Sequence, residues 1–408
     1  RKLVEQVLRR GVLVEHVGAR AVVIEIAAEG GDDPEPEYLD FNADGDLVVT
    51  LQENNAIAVV DIATAKVEDV WPLGYTDRRE VPMDTSDKDG TIDIRTAPVK
   101  GILQPDSIAA YDVDGTTYLV LANEGDARDW EAYSEEERIK KLGSKKLPPI
   151  CEGYAGMTAS EIEDFQSDEN AGRLKITTAF GLNEDKNCYD DLYTYGGRSF
   201  SIFTADGKRV FDSGADFEKI TAKLLPEHFN TNHTENEFES RSDDKGPEPE
   251  GITVGEINGR TYAFIGFERL GGVMVYDITD PANATYQAYI NNRDFSVNME
   301  SLDDDAITDG LTQAGDLGAE GLTFVPAKDS PNGENLLLVG NEVSGTTTVF
   351  QVDSLIEAPA APVAPDAGSA QSSLSKGGVI AIALAAVAAC IGILGGLGHI
   401  LNSVLEHR

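Results

Sequence analysis

The chain holds 408 residues, 33 of them Lys or Arg and 72 Asp or Glu, for a net charge of −39 and a pI near 4.3. A field of that sign repels phosphate, which excludes nucleic acid and anionic lipid surfaces and leaves divalent cations or basic proteins as partners. An ordinary solvated surface carries the same charge, so the reading turns on whether the carboxylates are positioned.

Residues 1–33 show apolar alternation (Val12, Val14, Val17) without the apolar core of a signal peptide, and the chain starts at Arg1. We read them as the remnant of an upstream region. From 34 to 356 one unit recurs four times. It opens on an acid, usually after proline: Pro36-Glu37, Pro105-Asp106, Pro249-Glu250 and Ala319-Glu320. A strand follows, then a turn marked by Asn42-Ala43-Asp44-Gly45, Asp114-Gly115, Asn258-Gly259 or Asn332-Gly333. The next strand is strongly apolar and ends at a second acid, Glu53, Glu124, Glu268 or Glu342, which lies 16, 18, 18 or 22 positions after the first. A third strand completes the unit.

Short antiparallel strands, tight turns and a pattern that restarts predict an all-β protein, a β-propeller of which about four blades are present. Insertions at 126–196, 217–247 and 295–318 interrupt it. In the first, Ser134 and Glu137 match a capping box and predict a helix through Arg138-Ile139-Lys140-Lys141. Cys151 and Cys188 are the pair available for a disulfide, because Cys390 lies in an apolar segment. Asn232-His233-Thr234 and Asn283-Ala284-Thr285 are glycosylation sequons for a chain that faces a secretory lumen.

Residues 357–376, rich in Pro, Ala and Ser, read as an extended stalk. Residues 377–398 carry no charge, and at ~1.5 Å per residue they are long enough to cross a ~30 Å hydrocarbon layer. They predict a transmembrane helix over 377–401 with a short tail at 402–408, hence a single-pass protein of the cell membrane with an extracellular propeller. The small residues Gly368, Ser369 and Ala370 keep a removable lipid-anchor signal open as the rival.

In an antiparallel hairpin the start of the first strand and the end of the second lie together. This places Glu37 beside Glu53, Asp106 beside Glu124, Glu250 beside Glu268 and Glu320 beside Glu342. With the first strands on the axis, the eight carboxylates ring one mouth, and Asp126 follows two residues after Glu124. Such crowding raises carboxyl pKa values and favours a hard cation, Ca²⁺ above all; backbone N–H groups at the blade turns are the metal-free alternative. A second loop, 84–93, sets Asp87, Asp89 and Asp93 around Gly90 as oxygen-cage loops do, but lacks a closing Glu.

The stretches LQENNAIAVVDI, NEGDARD, SRSDDKGPEPEGI, YAFIGFERLGGVMVYDITDP, YINNRDF and NEVSGTTT closely resemble the choice-of-anchor I family. That family holds cell-surface glycoproteins linked to biomineralisation and bacterial proteins labelled alkaline phosphatase, and the resemblance covers roughly residues 35–352. It implies an extracellular propeller of about seven blades, anchored differently in different members. Residues 1–33 are too short for the missing blades, and Ala319 stands where the family has proline.

Two functions follow as expectations. One is a calcium-binding surface glycoprotein in contact with mineral, matrix or other cells. The alternative is a calcium-dependent hydrolase of phosphate monoesters resembling propeller phytases, with Arg128, Arg198, Arg269 and Arg293 as phosphate clamps. Those arginines equally suit pairing with nearby acids, such as Arg128 with Asp126 or Asp129. A propeller that docks proteins without metal is a third reading. The five histidines fall outside the repeat, which argues against histidine acid–base chemistry.

Overall fold

The computed structural model describes residues 34–144, 146–302 and 306–352, together with the backbone of the strands Val12–Val17 and Arg20–Glu25, which pair as a hairpin. The stalk, the expected transmembrane helix at 377–401 and Cys390 lie outside the described residues. Among those described, no helix is long and apolar enough to cross a membrane.

Four antiparallel sheets follow one another in chain order. The first runs Pro36–Phe41, Leu47–Leu51, Ala56–Asp61, Lys66–Pro72, and the third Pro249–Ile257, Arg260–Phe267, Val273–Asp277, Thr285–Ile290. The second uses Ile108–Val113, Thr116–Asn123, Ser199–Thr204 and Arg209–Asp212, with the long insertion between its second and third strands. The fourth has three strands, Ala319–Val325, Leu336–Asn341 and Thr346–Gln351. This is blade topology, each sheet a meander whose strands pair with their sequence neighbours. No backbone pairing joins blade four to blade one among the described residues.

The apolar second strands follow from burial of both faces. In blade two, Leu119 and Leu121 pack against Val48, Ile57 and Trp71 of blade one, whereas Val120 and Ala122 pack against Ala263, Ile265 and Phe267 of blade three. Blade three repeats the arrangement with Tyr262 and Phe264, which turn to Leu337 and Val339 of blade four. Period-two alternation therefore stacks blades two and three each between two others, and neither face of their central strands meets water. The hairpin signals hold for the same reason of chirality: Asp114 and Gly115 have φ of 51° and 79°, and Asn258 and Gly259 54° and 76°, the left-handed pair that a two-residue turn requires.

First strands of successive blades are neighbours. Thr50 Oγ1 donates to the Asp106 carbonyl at 2.6 Å and Ser107 Oγ to the Glu250 carbonyl at 2.6 Å. Blade four comes so close that a Cβ on Gly251 would lie 1.8 Å from the Glu320 carbonyl oxygen. The Tyr38 hydroxyl of blade one reaches Glu320 Oε1 of blade four at 3.5 Å.

The insertion builds a core of Ile139, Phe165, Leu174, Ile176 and Tyr189 that it shares with Met83 and Val99 from the segment before blade two. The helix expected from Ser134 is absent. Tyr133–Ser134 and Glu136–Arg138 are short strands and Ile139–Lys141 a single 3₁₀ turn, since Glu136–Arg138 pairs with Lys175–Thr177. The helix forms instead over Ala159–Phe165, capped by Thr158, whose box with Glu161 is complete. Cys151 and Cys188 are joined in a disulfide across 37 positions. For a loop of 37 residues, a Cys188→Ser substitution is expected to lower the unfolding free energy by about 4 kcal/mol, read from urea denaturation curves.

Candidate metal centre at the blade mouth

A bulge decides where the acids point. Register shifts lie between Pro36 and Leu39, Pro249 and Ile252, and Ala319 and Gly321. Pro36 and Pro249 have no N–H to give the ladder, and the extra residue in each first strand shifts the pairing by one position. Hence Gln52 N–H donates to the Glu35 carbonyl at 3.3 Å, Gly125 to Gln104 at 3.0 Å, Glu268 to Glu248 at 3.0 Å and Glu342 to Gly318 at 2.8 Å. The backbone register sets Glu35 rather than Glu37 opposite the end of the second strand in blade one, and Glu248 rather than Glu250 opposite Glu268 in blade three, while the Glu268 charge still acts on Glu250. Gln104 and Glu248 hold left-handed φ of 47° and 52°, where blade four uses Gly318 at 73°.

One half of the mouth is neutralised from within the chain. Carboxylate oxygens of Glu124, Glu248 and Glu268, all buried, lie within 4.8 Å of one another. Lys245 Nζ contacts Glu124 Oε1 at 2.7 Å and Glu248 Oε2 at 3.2 Å. Arg241 holds Glu248 Oε1 at 2.6 Å, and Arg269 bridges Glu248 at 3.0 Å and Glu268 at 3.0 Å. Gln52 Nε2 donates to the other Glu124 oxygen at 2.8 Å. Burial opposes the charge on Glu248, yet Arg241, Lys245 and Arg269 outweigh it and hold its carboxyl well below the usual range. Three acids thus meet three bases. Glu124 and Glu268, expected as metal ligands, each touch a base, yet burial first and then the acids around them still push both carboxyls up to about 7.

Among the described residues the other half has no ion-pair partner, and only the Lys245 charge offsets the acids around Asp106. Burial, then the charges of Glu124, Glu37 and Glu320, push the Asp106 carboxyl up to about 9. Burial, then Glu124, Glu268, Asp106 and Glu320, raise Glu250, and burial followed by Glu35 raises Glu53. At the rim, desolvation and neighbouring acids raise Glu37 and Glu320. Asp106 Oδ2, Glu53 Oε2 and Glu250 Oε2 are buried without a hydrogen-bond partner, and Asp106 itself is 6% exposed. Asp126 and Glu342 are exposed beside this group, and their charges act on Glu53 and Glu320 respectively.

The remaining expected residues lie elsewhere. In the 84–93 loop, Asp87 is taken by Arg173 at 2.6 Å and Lys88 at 2.7 Å, Asp93 by Arg95 at 3.0 Å, and Asp89 accepts the Thr91 N–H at 3.0 Å. Of the four arginines expected as phosphate clamps, Arg198, Arg269 and Arg293 give donors to the fold. Arg198, 2% exposed, gives Nη1 to the Asp84 carbonyl and Glu218 Oε1 and Nη2 to the Ser242 and Asp244 carbonyls, all within 2.8 Å. Arg293 binds the Arg269 carbonyl at 2.9 Å and Asn236 Oδ1 at 2.6 Å, and Arg128 faces Glu135 at 4.0 Å rather than Asp126 or Asp129.

The model of the choice-of-anchor I domain matches residues 2–281, more than half of the chain. The chain belongs to the choice-of-anchor I domain family. Gigasin-3a of Magallana gigas is 31% identical over 205 residues, covering 48% of this chain and 69% of that protein. The mesenchyme-specific cell surface glycoprotein of Strongylocentrotus purpuratus is 28% identical over 249 residues, 53% of this chain, and this choice-of-anchor I chain spans only 31% of its length. Among solved structures, virginiamycin B lyase from Staphylococcus aureus aligns over 79% of this chain and 71% of its own at 14% identity, with a TM-score of 0.25.

In this choice-of-anchor I domain the residues that sequence reasoning missed are Arg241, Lys245 and Glu248, all inside the stretch SRSDDKGPEPEGI. The readable signal was three bases and acids packed immediately before a blade, where a solvated linker needs none. His233 was also placed outside the site, yet it accepts from Arg269 Nη1 at 3.0 Å and lies 3.5 Å from Glu268; burial and Arg269 lower its pKa to about 4, so it is neutral at pH 7. Replacing Lys245 by Met leaves Glu124 and Glu248 short of charge in a buried site. The expected cost is roughly 3–5 kcal/mol of unfolding free energy, measured by chemical denaturation.

Proposed function

We propose that this chain is the propeller portion of an extracellular surface glycoprotein that binds calcium at the half of the blade mouth formed by Asp106, Glu250, Glu37, Glu320 and Glu53. The observation that carries the reading is the Asp106 carboxylate, almost fully buried, with one oxygen unpartnered and four acids around it. Buried like charges are costly unless a cation offsets them, and hard oxygen ligands suit Ca²⁺. Among the described residues no Lys or Arg forms an ion pair with any of these five, in contrast to Glu124, Glu248 and Glu268.

Membership of the choice-of-anchor I family and the name of the sea-urchin relative support a place at the cell surface. Upstream blades would complete a ring of about seven, and the apolar segment at 377–401 would supply the membrane anchor. Asn283 is exposed in a turn and suits glycosylation better than the half-buried Asn232. Contact with mineral or matrix is the role such a mouth fits. The hydrolase reading has less support, because Arg198, Arg269 and Arg293 give donors to the protein itself.

Calorimetric calcium titration at pH 7.4 in buffers of different ionisation enthalpy is expected to show binding with proton release, since the carboxyls are held protonated in the free protein. An Asp106→Asn/Glu250→Gln variant is expected to lose both the binding and the proton release, whereas no calcium uptake by the intact protein ends the reading. The pH dependence has a defined sign. The folded Asp106 carboxyl titrates near 9 rather than its ordinary 3.8, so the folded state binds the extra proton between those values. Its stabilising contribution is complete below about pH 4 and is lost as pH rises toward about 9. Thermal melts in chelator are expected to show this decline, and saturating calcium to flatten it.

A further inference from the structure

A second oxygen-rich centre lies where the 217–247 insertion meets the 84–93 loop. Two backbone bonds close the 229–242 loop: Glu239 N–H donates to the Phe229 carbonyl at 2.9 Å and Arg241 N–H to the Asn230 carbonyl at 2.8 Å. They bring the backbone of Glu239 next to that of Asn230. Both hold left-handed backbone, φ 44° and 64°, and both are buried, 0% and 1% exposed. Strain of that kind persists in non-glycine residues only where the surroundings fix it, and it gathers at functional positions.

Each of the two carries an acceptor oxygen without a hydrogen-bond partner, Asn230 Oδ1 and Glu239 Oε1. Asp84, fully buried, is tied to the same place. The Glu218 carboxylate accepts from Asn230 Nδ2 at 2.9 Å through one oxygen and from the Asp84 N–H at 3.2 Å through the other. The Asp84 carboxylate is itself oriented by the N–H groups of Ser86 at 3.2 Å and Asp93 at 2.9 Å. Arg198 balances Glu218 at 2.7 Å, and no Lys or Arg among the described residues forms an ion pair with Asp84 or Glu239.

What remains is two buried carboxylates and an amide oxygen, all acceptors. Burial and then Glu218 push the Asp84 carboxyl up to about 7; burial and then Asp84, Asp89, Asp87 and Asp93 push Glu239 up to about 8. Orphaned acceptors of this type are satisfied by a donor or a cation, and two carboxylates match one divalent charge.

We propose that Asp84, Asn230 and Glu239 form a buried calcium site that ties the 217–247 insertion to the 84–93 loop, Glu239 supplying from far along the chain the carboxylate that the loop itself lacks. The site shares no residue with the mouth and stands or falls independently of it.

The test counts calcium bound per full-length chain after chelation and equilibrium dialysis against calcium chloride. Glu239→Gln is expected to lose one equivalent of calcium and most of the calcium-induced rise in melting temperature, while Asp106→Asn/Glu250→Gln keeps this equivalent. Unchanged calcium content in Glu239→Gln overturns the proposal and leaves a protonated carboxyl or a water in the centre. Should that variant fail to fold, hydrogen exchange of residues 229–242 in the Asp106→Asn/Glu250→Gln variant decides: slowing on calcium addition supports the site, and unaltered exchange overturns it.

Discussion

Burying charge is the constraint around which this domain is organised. Glu124, Glu248 and Glu268 lie within 4.8 Å of one another in the interior, a placement that is tenable only because Lys245, Arg241 and Arg269 come with them. The segment that carries Arg241 and Lys245 is therefore bound to the blades electrostatically, and it leads directly into the first strand of blade three. From there the Ser107 and Thr50 hydroxyls carry the alignment to blades two and one. Site and architecture are consequently one problem: the bonds that position the acids also set the spacing of the blades.

Much of the fold was legible because blade strands obey a simple period. Continuous apolar runs such as Tyr118–Asn123 in blade two and Arg260–Phe267 in blade three reflect burial on both faces, and the Asp-Gly and Asn-Gly turns reflect a backbone only those residues take easily. Their positions needed no tertiary knowledge. The bulges were another matter. Glu-Pro-Glu was visible at Glu35-Pro36-Glu37 and at Glu248-Pro249-Glu250, but which of its two acids faces the second strand depends on a register shift that no local propensity encodes. The helix misassigned to Ser134 failed for a related reason, since a strand pairing with Lys175–Thr177 outweighed the local cap.

The site residues divide along the same line. Acids spaced once per unit could be read from repetition, and the charges of Asp106, Glu124, Glu268 and Glu320 all act on Glu250. Their counter-charges could not, because Lys245 meets Glu124 across 121 positions and Arg269 meets Glu248 across 21. Arg198 shows the converse: a base beside a blade motif reads as a ligand clamp, yet four buried acceptors claim it first. Left-handed backbone at Gln104, Arg198, Asn230, Glu239 and Glu248 marks the same region, and this signal exists only in three dimensions.

The insertion in blade two has a consequence for how the domain is assembled in time. In the other blades the second and third strands are joined by short turns, but here Asn123 meets Ser199 across 76 positions. Closing so long a connection before any contact rewards it slows nucleation, although the entropy cost grows only logarithmically with length. The intervening residues pack with Met83, Ala97 and Val99 in one apolar core, so the two ends are joined by a packed body rather than a wandering coil, and that body ties the start of blade two to the segment before it.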